Sequence, residues 1–240
     1  VQPTVDVPII ADADNGFGDV KNTIRTVREY TKTDVAGIHI EDQIFPKRCG
    51  HVKGKEIIPY EEAVGKFRAA SDFRDEEDED FVIIARTDAR GAADGTLDDA
   101  IDRALAYCDA GADVAFVEGP VDEEEVAYIG ENVPEPLLYN YGTMSPRLTL
   151  DELEDYGYDL AIYAGLTHKS AMISMFKYVE MVQNEGRDGF LAIEEELDNL
   201  PIENYHDYYG FSDVVEWEEK YLPAEYMEKY NTSVGDSINE

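Results

Sequence analysis

The stretch FVIIARTDA, residues 81–89, is an unbroken apolar run that ends abruptly in Arg86, Thr87 and Asp88. A short run of this kind fits a parallel strand covered on both faces, because neither side has to meet water. The pattern recurs along the chain. Val7–Ala11 is followed by Asp12 and Asp14, Gly37–Ile40 by Glu41 and Asp42, Val114–Val117 by Glu118, and Pro136–Tyr139 by Asn140, with Leu160–Ala164 the last apolar run. Between the runs lie segments of helical spacing. In Leu97–Ala110, Ile101, Leu105 and Cys108 fall on one face and Gly111 is placed to end the helix, so Cys108 reads as a small core residue. Strands alternating with helices make βα repeats around a parallel sheet. A doubly wound sheet would concentrate its chemistry at one switch point, whereas here the polar residues follow strand after strand. The expectation is therefore an α/β, (β/α)8 TIM-type barrel. Six runs are present where a closed barrel needs eight strands, so the first two βα units are expected to be absent from this chain. Residues 1–170 would form barrel units 3 to 8. Residues 171–240 would form a C-terminal helical segment, rich in Tyr and Glu from Glu203 to Tyr230, that packs on the barrel or on a neighbouring subunit.

The charge balance constrains partners. Among 240 residues, 54 are acidic and 20 basic, a net charge of −34, and the acids are spread along the chain rather than gathered in a tail. A solvated acidic shell of this kind suits a protein working in concentrated salt, which screens the self-repulsion. It opposes binding to nucleic-acid phosphates. Two cysteines supply no disulfide framework, no apolar run approaches a membrane span, and VQPTVDVPII lacks the basic region that opens a signal peptide. The location expected is cytoplasmic, in a halophile-like cell, with no membrane partner.

The chemistry gathers at the strand ends. Asp12 and Asp14 are separated by one residue at the end of an apolar run, so their side chains are expected on one side, with Glu41 at the end of the next run. Such oxygens suit Mg²⁺, which keeps several waters and takes one or two direct carboxylates; a helix cap is the alternative use of Asp14 or Asn15. Cys49 lies between the cations Lys47 and Arg48 and the pair Gly50-His51, in EDQIFPKRCGH. Adjacent positive charge stabilises a thiolate and so favours thiol acid/base chemistry; an ordinary surface loop is the alternative. His39 alternates with Ile38 and Ile40, and reads either as a site residue or as a satisfied polar core residue. Arg86, leaving a buried strand beside carboxylates, is suited to bidentate capture of a substrate carboxylate. Glu118 and Asn140 either complete this ring or brace loops. A Walker loop, GxGxxG after a strand, CxxC, HExxH and GxSxG are all missing from the sequence.

The segments ADADNGFG, AGIHIEDQ, PKRCGH and FVIIARTDA, in this order, closely resemble the isocitrate lyase / phosphoenolpyruvate mutase superfamily, with weaker likeness in VAFVEG and PLLYN. The cysteine of KRCGH points to its lyase branch. The resemblance implies a (β/α)8 barrel and a homotetramer with a helix exchanged between subunits. It implies Mg²⁺, or Mn²⁺ as a substitute, held by Asp12 with Asp14 and Glu41 acting largely through water. It implies Cys49 as the acid/base on a mobile loop, with His51, Arg86 and Glu118 as further catalytic residues. Gly50 and Asn140 would border a small carboxylic-acid substrate, and Lys47, Arg48, His39 and Thr143 complete the substrate-binding set. Phe116 and KRCGH resemble 2-methylisocitrate lyases more than isocitrate lyases, so the expected reaction gives succinate and pyruvate. Isocitrate cleavage to succinate and glyoxylate is the alternative. An oxaloacetate hydrolase, a dimethylmalate lyase and a silent assembly partner are further ones.

Overall fold

A computed structural model describes residues 7–202 and 205–234; expectations touching residues 1–6, 203–204 and 235–240 lie outside them. The chain divides into two compact units, Val1–Leu166 and Thr167–Glu240.

The first unit is an arc of six parallel strands, β1 (Ile10–Asp12), β2 (Gly37–Glu41), β3 (Val82–Thr87), β4 (Val114–Val117), β5 (Leu138–Asn140) and β6 (Leu160–Ile162). Strands β1 to β4 lie side by side in chain order, β5 pairs with β6, and a parallel bridge from Ala115 to Leu137 joins β4 to β5. Helices α1 (Val20–Tyr30), α2 (Tyr60–Glu77), α3 (Leu97–Asp109), α4 (Glu123–Asn132) and α5 (Leu150–Asp155) connect successive strands. Each strand thus neighbours the next in sequence, the winding of an α/β barrel. Caps set the helix starts: Asp19 accepts from the Lys21 backbone N–H at 2.9 Å, Thr96 from that of Asp99 at 3.0 Å, and Thr149 with Glu152 forms a capping box.

Alternation along β3 shows how the fold sorts its residues. Ile83 and Ala85 pack outward with Val27 of α1 and Phe67 and Ala70 of α2. Ile84 packs inward with Val114, Phe116 and Leu138. Each fully buried large apolar side chain contributes about 1.5–3 kcal/mol. Arg86, two residues beyond Ile84, emerges on the same inner side. Pairing fixes the strand ends in line: Asp12 is opposite His39, Glu41 opposite Arg86, and Arg86 opposite Phe116.

Burial of every strand on both faces does not hold. Ile10 of β1 and Leu160 of β6 remain 42% and 40% exposed, since each of these strands has a neighbour on one side only among the described residues. The first strand also begins at Ile10 rather than Val7. Helix α3 ends before Gly111, whose φ of +106° suits the turn out of a helix. Cys108 packs half-buried against the core there, and burial pushes its thiol up to about 12.

The second unit is helical: α6 (Leu166–Glu185), α7 (Arg187–Asp198), α8 (Tyr205–Tyr208), α9 (Phe211–Tyr221) and α10 (Glu228–Thr232). Helix α6 buries none of its residues, and Met172, Ile173, Met175, Phe176 and Val179 are all exposed. Among the described residues, no helix is long and apolar enough to cross a membrane.

Candidate active site

The carboxyl ends of β1 to β6 and the loop after β2 border a cavity of about 400 Å³. Asp12, His39, Lys47, Arg48, Cys49, Gly50, His51, Arg86, Glu118 and Asn140 line it, and Phe116, Ile162 and Ala164 form its apolar side. The loop reaches this place because it is tied down at both ends. Gln43, 1% exposed, accepts from the Arg48 backbone N–H and donates to the Arg48 carbonyl, both at 2.9 Å. The buried Lys55 ammonium donates to the Gly50 carbonyl. Cys49 is thereby left exposed at the cavity.

Gly50 and Gly142 are dictated by close approach. A Cβ on Gly50 would lie 2.5 Å from Arg86 Nη2 and from Glu118 Oε1, and one on Gly142 would lie 1.7 Å from His51 Nε2. His51 therefore fits between the loop and the end of β5. Its Nε2 is 3.1 Å from Glu118 Oε1, and the Asn140 amide donates to Glu118 Oε2 at 3.1 Å. Glu118 is 2% exposed and stands at the buried end of the cavity wall, within reach of both His51 and Asn140.

The acidic side is organised by one lysine. Lys47 Nζ lies 2.5 Å from Asp14, 3.5 Å from Glu41 and 3.9 Å from Asp12. Strand alternation is not what brings Asp12 and Asp14 together. The strand stops at Asp12, and Asp14 has a left-handed φ of +48°, its backbone N–H held by Asp12 Oδ1 at 2.8 Å. Asp14 does not cap a helix; that role falls to Asp19. Glu41 lies beneath at 1% exposure, and burial raises its carboxyl to about 7 against the pull of Arg86 and Lys47. Both Glu41 carboxylate oxygens lack a hydrogen-bond donor. Burial opposes the charge on Lys47, but the Asp14 hydrogen bond and the Glu41 and Asp12 charges overcome it and raise its pKa. His39 shifts the other way, lowered by burial in spite of Asp12, 3.7 Å from its Nδ1.

Arg86 is half-buried with its guanidinium 5.1 Å above the Phe116 ring. Asp88 takes two of its N–H groups, from Nε at 2.9 Å and Nη2 at 3.0 Å. Burial works against this charge as well; Asp88 first, then Glu118 and Glu41, hold the arginine protonated above its ordinary value.

Of the residues singled out from the sequence, Thr143 is not brought in. It is exposed and outside the lining, because the chain turns at Gly142, whose N–H is held by Ser145 Oγ at 3.1 Å. Asp14 and Glu41 stand behind Lys47 rather than at the cavity wall. Sequence reasoning missed Gln43, Lys55 and Gly142 as site residues, and named Asp88 among the strand-end polar residues without giving it a role. Gln43 and Asp88 belong to the motif segments AGIHIEDQ and FVIIARTDA, which was the available signal; Lys55 carries none, being just one more lysine in the loop.

The phosphoenolpyruvate phosphomutase family model matches residues 1–183. The 2,3-dimethylmalate lyase of Eubacterium barkeri is 51% identical over 159 residues, covering 65% of this chain and 54% of that protein. The isocitrate lyase of Haloferax volcanii is 37% identical over 213 residues, covering 84% and 61%, and the 2-methylisocitrate lyase of Aeropyrum pernix is 36% identical, covering 85% and 66%. The chain thus spans 54 to 66% of the length of these relatives. Among solved structures, phosphoenolpyruvate phosphomutase from Streptomyces platensis matches with a TM-score of 0.80 at 29% identity, covering 91% of this chain and 75% of that one. Oxaloacetate acetylhydrolase with 3,3-difluorooxalacetate matches at 0.75 and 32%, covering 89% and 70%. By strand winding, site motifs and the extent of these matches, the chain belongs to the PEP mutase/isocitrate lyase superfamily.

Proposed function

We propose that this chain carries the site of a Mg²⁺-dependent carbon–carbon lyase that cleaves 2-methylisocitrate to succinate and pyruvate. The observation that carries the reading is the convergence of Cys49, His51, Arg86, Glu118 and Asn140 on one cavity beside a carboxylate group that draws in a cation. The donor set fits a hard divalent ion. Glu41 has two buried oxygens without a donor, and the Lys47 ammonium already stands among three carboxylates. Among the described residues, no three His, Cys, Asp or Glu side chains close on one point. Mg²⁺ needs no such closure, because it retains waters and takes few direct carboxylates; Mn²⁺ would substitute.

Asp12 would hold the ion, with Asp14 and Glu41 around it. When bound, it lowers the cost of negative charge on the substrate hydroxyl and carboxylate oxygens. Arg86, over Phe116, captures a carboxylate, and Arg48 at the cavity rim supplies a cation for the third one. A base takes the hydroxyl proton, C2 becomes a carbonyl, and the C2–C3 electron pair passes to C3 beside its carboxylate. Arg86 and His51 stabilise that charge, and the Cys49 thiol delivers a proton to C3. The net change is transfer of one proton from oxygen to carbon, with no water consumed.

A second reading has a specific observation behind it. The 51% identity to a 2,3-dimethylmalate lyase favours a diacid that shares the methyl-bearing hydroxy-acid half and yields pyruvate and propionate. The test offers 2-methylisocitrate, isocitrate and 2,3-dimethylmalate separately, with Mg²⁺ in concentrated KCl, and identifies products by mass spectrometry. Succinate with pyruvate supports the proposal. Glyoxylate from isocitrate alone, or propionate from dimethylmalate alone, reassigns the substrate. No product from any of the three rejects a lyase. We also propose a homotetramer with an exchanged helix, supported by the exposed apolar residues of α6 and checked by light scattering.

A further inference from the structure

We propose that Asp88 is a positioning residue for the reaction, holding the Arg86 guanidinium in its substrate-binding direction from a frame built by Asp42, Thr87, Tyr107 and Arg103. The frame is wholly interior: Asp88, Thr87 and Tyr107 are 0% exposed, Asp42 1% and Arg103 6%. It begins on α3, where the Tyr107 hydroxyl donates to Asp42 Oδ2 at 2.7 Å and Arg103 Nη1 approaches the same oxygen at 3.3 Å. Arg103 is itself held by the Ile58 carbonyl at 3.2 Å and by Asp99. Asp42, just past the end of β2, then grips the end of β3. Its Oδ2 accepts from the Thr87 hydroxyl at 2.7 Å and its Oδ1 from the Asp88 backbone N–H at 2.9 Å. Asp88 finally clamps Arg86 through the two N–H bonds already described.

Each link removes a degree of freedom that an arginine at a cavity wall would otherwise keep. A guanidinium carries N–H groups on three nitrogens in a rigid fork. With Nε and Nη2 committed to Asp88 and the guanidinium carbon 5.1 Å above the Phe116 ring, rotation about its last torsions is restricted. The remaining N–H groups then point one way before any substrate arrives. Binding does not have to order a long side chain, and the reacting carboxylate is met in a fixed place. Asp88 supplies charge as well, as the first of the carboxylates that hold Arg86 protonated, ahead of Glu118 and Glu41. A carboxylate that clamps the fork at two points adds direction.

The inference rests on the lyase reading only for the identity of the substrate, so its test has a binding arm. The binding of oxalate, a small dicarboxylate probe, is measured by calorimetry with Mg²⁺ in concentrated KCl. The proteins are wild type, Asp88→Asn, Arg86→Lys and the double variant, with kcat and KM for the substrate found active. Asp88→Asn is expected to weaken oxalate binding about 10-fold and to lower kcat/KM about 100-fold, the scale of loss when a reacting group is misplaced by an ångström. In the Arg86→Lys background the same change is expected to cost less than about 2-fold, since a group acting through Arg86 has nothing further to lose. Equal losses in both backgrounds, no loss in either, or no oxalate binding by the wild type overturns the proposal. Coupling in oxalate binding with no turnover of any substrate keeps the positioning role and rejects the lyase. Turnover without coupling does the reverse. Where Asp88→Asn does not fold, Tyr107→Phe decides, with a loss of about 3-fold expected beside Arg86 and none beside Lys at that position.

Discussion

Glu41 gives the sharpest quantitative test. Its carboxylate is 1% exposed, neither oxygen has a hydrogen-bond donor, and the nearest cations, Lys47 and Arg86, are both 3.5 Å away. Burial raises the carboxyl from 4.5 to about 7, outweighing those two cations. A carboxyl raised on folding contributes stability that is fully present below its unfolded value and is lost as pH rises through the folded one. The displacement from 4.5 to about 7, at about 1.4 kcal/mol per pH unit, amounts to about 3 kcal/mol lost at pH 8, against about 1 kcal/mol lost at pH 5. Glu41→Gln keeps the shape and removes the titration. In metal-free protein it should therefore raise stability by about 3 kcal/mol at pH 8, roughly 6–12 °C in Tm for a chain of this size, and by about 1 kcal/mol at pH 5. The assay is urea unfolding at both pH values in EDTA and fixed KCl, then repeated with Mg²⁺. The ion should stabilise the wild type at pH 8 and the variant much less, because it binds the folded carboxylate group. An equal change at both pH values, or a variant less stable at pH 8, refutes the assignment of Glu41 as an under-compensated buried acid.

Other consequences are separable. Cys49 is exposed, so Cys49→Ser should leave the melting temperature unchanged while cutting turnover about 10²–10⁴-fold; near-normal kcat removes it as proton donor. Gly142→Ala places a Cβ 1.7 Å from the present position of His51 Nε2. It should lower kcat about 100-fold by displacing that ring, and an unshifted His51 in the variant's structure with full activity contradicts the fit. With a net charge of −34, lowering KCl from multimolar to about 0.1 M lengthens the screening distance from under 3 Å to about 10 Å and should lower Tm; a flat melting profile rejects adaptation to concentrated salt.

Much of the barrel was legible because strand position and strand-end chemistry are both local. FVIIARTDA shows its apolar run and its polar end without reference to the rest of the chain, and register then places Glu41, Arg86 and Phe116 abreast. The failures have physical explanations too. Ile10 and Leu160 look as apolar as Ile84, but exposure depends on which strand lies alongside. Thr143 follows Asn140 closely enough to suggest the same site, yet the turn at Gly142 carries it outward.

By itself, then, the sequence determined the βα rhythm, the acidic shell, and the identity of the residues near strand ends, because those depend on neighbours in the chain. Only the tertiary structure decided that Lys47 gathers Asp12, Asp14 and Glu41, that His51 crosses to Glu118, and that Asp42 reaches from one strand end to hold the next. All but the Lys47–Glu41 contact join residues tens of positions apart, and their energies depend on burial and on distances of a few ångströms, neither of which any local run of residues specifies.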